Sequence, residues 1–246
     1  MGSFDLKFMN KQDIERYKDF SRKVLGVEFN DISLLITSFT HRSYVNEHRK
    51  TAREHNERLE FLGDAVLELV VTEYLYKNFD EPEGILTNWR SALVRTESIG
   101  SAALNTGMVE YLRLSRGERR GSDRARAQIL ANCYEAVLGA LYLDQGFEAT
   151  YKFIDKTILK TLPEILESGS WLDPKSKLQE TAQSIEGATP AYKVLSEEGP
   201  DHDKIFVIGV YIGGKLRGDG SGPSKQIAQQ KAAEKALKTF EPSKRH

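Results

Sequence analysis

Between His55 and Leu67 apolar residues recur at helical spacing, while three carboxylates, Glu57, Glu60 and Asp64, fall at i, i+3 and i+7. At 3.6 residues per turn these positions share one stripe of a helix. Phe61, Leu62, Ala65, Val66 and Leu69 cover much of the remaining circumference, and the expectation is that they face a core. Like charges at i, i+4, such as Glu60 and Asp64, cost an isolated helix roughly 0.2–0.5 kcal/mol. A hard divalent cation with oxygen ligands would offset that repulsion. A solvated acidic face is the competing account. Two features favour a cleft: the polar stripe is narrow, and Gly63 stands mid-helix, where glycine costs about 1 kcal/mol relative to alanine. Close approach of another backbone or of a ligand is the expected reason for Gly63.

A second helical segment, from Gln128 to Leu143, is apolar nearly all round, as a buried helix must be. Asn132 and Glu135 are i, i+3 neighbours on it, and Gly139 continues their line. A carboxylate in such surroundings is costly unless it is paired or bound to metal. Packing the two segments through these faces gathers Glu60, Asp64, Asn132 and Glu135 into an oxygen-rich pocket suited to magnesium. The alternative pairs Glu135 with an arginine between Arg90 and Arg95 and binds nothing.

The run from Asn56 to Leu67 resembles the signature of ribonuclease III, the double-stranded-RNA endonuclease family. Agreement extends through Thr40-His41-Arg42-Ser43-Tyr44, Arg90 to Arg95 and Ile129 to Asp144, and it covers nearly the whole chain. The resemblance implies that Glu60, Asp64 and Glu135 are metal-linked catalytic carboxylates, with Glu57 in the same acidic cluster. Many relatives carry Asp where Asn132 stands; Asn keeps a carbonyl ligand and removes one charge. Glu83 matches an acidic residue that the family places across its dimer interface. The implied reaction is hydrolysis of duplex RNA assisted by Mg²⁺, with Mn²⁺ as a substitute, leaving staggered ends with 5′-phosphate and 3′-hydroxyl. The resemblance also implies a homodimer, which would supply one acidic site per strand. Phe61 and Leu62 would build its interface, or else pack in the monomer core. Histidine is not needed as a general base: His41 is read as structural, His55 as ordering the helix start or touching RNA, and Asn56 as a side-chain cap.

Residues 10–160 read as helical throughout, with breaks at Asn30-Asp31, Phe79 to Gly84, Thr106-Gly107 and Arg116 to Asp123. The expected architecture is an all-α catalytic domain, 1–167, a linker over 168–173, and a small α+β domain over 174–241 with a tail of 242–246. In the last domain the spacing predicts a helix from Ser176 to Ile185, strands over Tyr192 to Ser196, Lys204 to Ile212 and near Lys215 to Gly220, and an alanine-rich helix from Ser224 to Phe240. This α-β-β-β-α order resembles the double-stranded-RNA-binding domain, supported by Asp173-Pro174-Lys175, Gly199-Pro200-Asp201-His202 and Gly222-Pro223-Ser224-Lys225. By A-form geometry, Gln179 and Gln183 would enter one minor groove and His202 the next, with Ser224 and Lys225 clamping phosphates at a helix start. Gln226 stands where relatives often have a second basic residue, which predicts weaker and less salt-sensitive binding.

Composition excludes other classes. Hydrophobic content is 39%, and no apolar run approaches the roughly 18 residues of a membrane span. No secretory signal is expected at the N-terminus. Cys133 is the single cysteine, which fits a reducing cytoplasm. Residues 174–246 hold 12 Lys/Arg against 9 Asp/Glu, whereas the first 173 hold 23 against 27. Net charge alone does not point to nucleic acid, but an acidic first part joined to a mildly basic second part is consistent with metal binding in one and phosphate binding in the other. The family resemblance implies no organic cofactor. Arg113, Arg116, Arg119, Arg120, Arg124 and Arg126 form a basic segment, either a solvated loop or a phosphate contact. A regulator that binds double-stranded RNA without cutting it is the alternative function, favoured only by Asn132. A di-iron carboxylate protein is disfavoured by the lack of Glu-x-x-His pairs.

Overall fold

The computed structural model describes residues 9–169, 171–200 and 204–240. The chain divides into two compact units, Met1–Ser168 and Gly169–His246. In the first, the α-helices are α1 (Lys11–Phe20), α2 (Ile32–Ser38), α3 (Arg42–Glu47), α4 (Glu57–Asn78), α5 (Glu83–Val94), α6 (Thr96–Asn105), α7 (Asp123–Gln145), α8 (Phe147–Thr157) and α9 (Leu162–Ser168). The breaks read from the sequence separate α1 from α2, α4 from α5 and α6 from α7, whereas the divisions at 39–41, 48–56, Arg95, Gly146 and 158–161 interrupt a stretch expected to be helical throughout. Asp31 caps α2 by accepting from the Ser33 N–H, and Ser122 caps α7 by accepting from Ala125.

The first unit is organised around α7. Cys133, Tyr134, Val137, Leu138 and Leu141 are fully buried, and the helix packs against α2, α4, α6 and α8. Burial pushes the Cys133 thiol up, so it is a small core residue rather than a nucleophile. Tyr134 buries its ring against Phe153 and satisfies its hydroxyl on Thr157. At the far end, the Asp144 carboxylate accepts from the backbone N–H groups of Asn30 and Asp31, at 2.8 and 2.7 Å, which ties the start of α2 to α7.

The most extensive pairing is α4 with α7, and two glycines make it possible. A methyl group at Gly63 would stand 1.7 Å from the Glu135 carbonyl oxygen; one at Gly139 would stand 2.2 Å from that of Leu59. Backbone therefore lies on backbone, the close approach expected of Gly63.

The outer circumference of α4 departs from expectation. Of Phe61, Leu62, Ala65, Val66 and Leu69, only Val66 is buried, and Leu62 is half-buried. Phe61 is 82% exposed, Leu69 57% and Tyr76 79%. A helix apolar on most sides has more surface than α7, α5 and α8 cover, so an apolar stripe remains on the outside. Asn56 also differs: it stands at the N-cap but makes no side-chain capping bond, and instead its buried backbone N–H donates to Thr40 and its carbonyl accepts from Glu60.

The second unit comprises α10 (Pro174–Glu186), β1 (Ala191–Glu198), β2 (Ile205–Ile212), β3 (Lys215–Gly222) and α11 (Lys225–Leu237). The strands form an antiparallel sheet in the order β1-β2-β3. Gly213 and Gly214, both at positive φ, make the two-residue turn between β2 and β3. Gly218 and Gly220 present bare backbone to α11, where a methyl would meet the carbonyl oxygens of Ala232 and Ala228 at 2.5 Å. The alanine spacing in α11 is the other half of that contact: Ala228, Ala232, Ala233 and Ala236 are fully buried. The helix ends at Leu237 rather than Phe240, with Thr239 and Phe240 closing turns onto Ala236 and Leu237. Among the described residues no helix is long and apolar enough to cross a membrane.

Replacing Gly63 or Gly139 with alanine forces α4 and α7 apart and is expected to cost at least about 2 kcal/mol. Gly84, with nothing within 4 Å of an added methyl, is the control and should change by less than about 1 kcal/mol. Urea denaturation measures both; equal stability for all three variants would contradict the crossing.

Candidate active site

The α4–α7 crossing brings the acidic residues of both helices to one place. Gly63 lies against the backbone of Glu135, which puts Glu60 and Asp64 beside Asn132 and Glu135. Glu135 is half-buried, and among the described residues it has no lysine or arginine within ion-pair distance. Arg90, a proposed partner for it, instead pairs with Glu68 at 3.1 Å and donates to Thr72. Burial, then the charges of Asp64 and Glu60, push the Glu135 carboxyl up to about 7. Glu60 is raised as well, by burial and by Glu57 and Asp64, against a lowering hydrogen bond from Asn132.

Asp64 is exposed at the open side of the group and lies close enough to raise both neighbours. Among the described residues no three His, Cys, Asp or Glu side chains stand in finished metal-binding geometry. The carboxylates are coupled neighbours that do not form a closed ligand shell. Half-buried acids without a basic partner need a proton or a cation, so this donor set fits a hard divalent ion.

Asn132 and Glu57 are each already engaged. The Asn132 side-chain oxygen accepts from Nε2 of Gln128 at 2.7 Å while its amide serves Glu60, so the oxygen it would offer a cation is shared with Gln128. Glu57 is gripped by Arg42, Nε to Oε1 at 2.7 Å and a terminal nitrogen to Oε2 at 2.8 Å, with His55 Nδ1 3.8 Å away. Sequence reasoning missed Gln128 and Arg42. The i, i+4 spacing of Gln128 and Asn132 was a usable signal, whereas nothing in the sequence links Arg42 to Glu57 across fifteen positions. His41 is structural: its Nδ1 caps α3 by accepting from Ser43, and burial lowers its pKa.

Glu83 is not part of this cluster within one chain. It opens α5, exposed, and lines a separate cleft of about 730 Å³ with Thr72, Tyr76, Phe79 and Leu86. The basic segment divides too. Arg113 is a strap, stacked 4.3 Å from the Tyr44 ring centroid and donating to its hydroxyl, while Arg116, Arg119, Arg120, Arg124 and Arg126 are exposed.

In the second unit, Gln179 and Gln183 are exposed one turn apart on α10. Ser224 is the N-cap of α11 and its oxygen accepts from Ile227, while Lys225 follows, exposed, with its ammonium 3.1 Å from Glu197. His202 lies outside the described residues.

An acidic helix crossing in one unit and an α-β-β-β-α fold of the double-stranded-RNA-binding kind in the other are the arrangement of a nuclease directed at duplex RNA. The family model for "Ribonuclease-III-like" proteins matches residues 31–162, and that for the "Double-stranded RNA binding motif" matches 174–239. Proteins named Ribonuclease 3 are similar over most of their length: that of Enterococcus faecalis is 47% identical, covering 87% of this chain and 94% of its own. That of Carboxydothermus hydrogenoformans is 46% identical over 90% and 95%. The solved nuclease domain of ribonuclease III from Campylobacter jejuni aligns with a TM-score of 0.52 at 36% identity, over 63% of this chain and 99% of that one. The chain belongs to the ribonuclease III family. It is a double-stranded-RNA endoribonuclease of a divalent-metal-dependent kind, and the non-cleaving regulator is not favoured.

Because the Glu135 pKa is raised, its contribution to folding is present below its ordinary value of 4.5 and is lost as pH rises through about 7. In chelator, thermal stability should therefore fall between pH 5 and 7, and Glu135→Gln should flatten the fall. Magnesium should raise the melting temperature more at pH 7.5 than at pH 5.5 in the parent protein. Scanning fluorimetry reads all three, and a pH-independent magnesium effect would remove Glu135 from the site.

Proposed function

We propose that Glu60, Asp64 and Glu135 are the catalytic and metal-holding carboxylates, and that magnesium, with manganese as a substitute, is the working ion. The observation carrying this reading is the half-buried Glu135 facing two like charges with no basic partner among the described residues. A bound divalent ion would supply activated water and charge neutralisation at the scissile phosphate. The chain's own residues set the stage for it. Burial of Glu135 favours cation over solvent, the Asn132 amide orients Glu60, and Arg42 pairs with Glu57. Asn132 would offer a cation the side-chain oxygen that now accepts from Gln128. The products expected are staggered ends with 5′-phosphate and 3′-hydroxyl, in the maturation of RNA precursors in the cytoplasm.

Two copies would act together. The exposed stripe of Phe61, Leu69 and Tyr76 runs along α4 to the cleft lined by Glu83, and burying one phenylalanine contributes roughly 1.5–3 kcal/mol. A second copy of the same stripe is its natural cover, and the similar Campylobacter jejuni domain is described as forming dimers. Glu83 would then support the partner's cluster. Gln179, Gln183, Ser224 and Lys225 are the proposed duplex contacts, with His202 assigned on sequence grounds alone.

Asp64→Asn should lower cleavage of a long RNA duplex by about 10²-fold or more while leaving binding intact. Asn132→Asp should bind magnesium equally or more tightly, measured by calorimetry, and a loss of activity in that variant would refute the ligand role. Phe61→Lys should sediment as a monomer where the parent sediments as a dimer; a monomeric parent removes the interface.

A further inference from the structure

Glu197 lies near the end of β1, opposite Phe206 of β2. Its two carboxylate oxygens face two ammonium groups. Oε1 is 3.1 Å from Nζ of Lys225, and Oε2 is 3.5 Å from Nζ of Lys204. Hydrogen bonding from Lys225, reinforced by the charges of both lysines, holds the Glu197 carboxyl below the usual range. Nζ of Lys225 also lies 5.4 Å from the Phe206 ring centroid, so the ammonium is placed from two sides.

That place is the start of α11, where free N–H groups and the helix dipole favour an anion. Ser224 turns its oxygen to the Ile227 N–H, and the ammonium of Lys225, the first residue of the helix, supplies a full positive charge there. Gln226, the next residue, is neutral. A carboxylate and an incoming phosphate thus compete for one ammonium, and the carboxylate repels the phosphate besides.

We infer that Glu197 sets the strength and salt sensitivity of the duplex grip, holding Lys225 until a phosphate displaces it. The inference rests on the phosphate role proposed for Lys225. Engagement exchanges one ion pair for another. Fewer counterions are therefore released at this contact than the roughly 0.9 per phosphate of an unpaired lysine. Glu197 is a positioning residue for RNA and takes no part in the chemistry.

The test is fluorescence anisotropy of a labelled RNA duplex with the full chain in chelator, which prevents cutting, across a salt series. The proteins are the parent, Glu197→Gln, Lys225→Ala and the double variant. Glu197→Gln should tighten binding about two- to fivefold at low salt, the worth of an exposed ion pair. It should also steepen the slope of log affinity against log salt by up to about 0.9. Lys225→Ala should then lose more affinity in the Glu197→Gln background than alone. Unchanged or weaker binding by Glu197→Gln, with its thermal transition intact, overturns the inference while leaving Lys225 as a phosphate contact. Lys225→Ala silent in both backgrounds overturns the contact itself and the inference with it.

Discussion

The contact between the backbones of α4 and α7 is the constraint on which the catalytic unit depends. Gly63 against Glu135, and Gly139 against Leu59, allow the helices to approach with no side chain between them. An ordinary pair of helices packs at 8–10 Å through interdigitated side chains. Removing the side chains at the crossing places acids from two helices next to each other, and packing around α7 fixes them there. The same crossing buries Val66, Leu67, Val70 and Val71 on one face of α4, so stability and site geometry arise from a single interface.

The electrostatics follow from that geometry. Half-burial raises the cost of each negative charge, and mutual proximity raises it further for Glu60 and Glu135. The surrounding basic groups are engaged elsewhere: Arg42 on Glu57, Arg90 on Glu68, Arg113 on Tyr44 and Thr40. Among the described residues the charge at Glu135 has no ion-pair partner, a condition that costs free energy and favours protonation or a cation.

The RNA-binding unit uses the same device, glycine against a small-residue helix, for a different end. Gly218 and Gly220 let α11 sit directly on β3, fixing the helix start that carries Ser224 and Lys225. There the basic side chain of Lys225 is paired with the Glu197 carboxylate.

Helical periodicity and turn signals were enough to identify most of the elements, and the same spacing marked Glu60, Asp64 and Glu135 as acids on two helical faces, because these depend on local order along one segment. Gly63 likewise announced a close approach, since mid-helix glycine carries a local cost that needs a reason. The exposure of Phe61 and Leu69 was not legible, because an apolar residue reads alike whether it meets its own core or the outside, and the number of neighbouring helices decides which. Nor were the ties of Arg42 to Glu57, Gln128 to Asn132 and Glu197 to Lys225 singled out. Two of them join residues far apart in the chain, and all three depend on where flexible side chains come to rest. The sequence by itself determined which residues carry charge, which segments coil and where glycine permits contact. Only the tertiary structure decided which of those charges are paired, as Lys225 is with Glu197, and which, like Glu135, stand among like charges, because pairing depends on distance in space and burial, and neither is a property of a linear order.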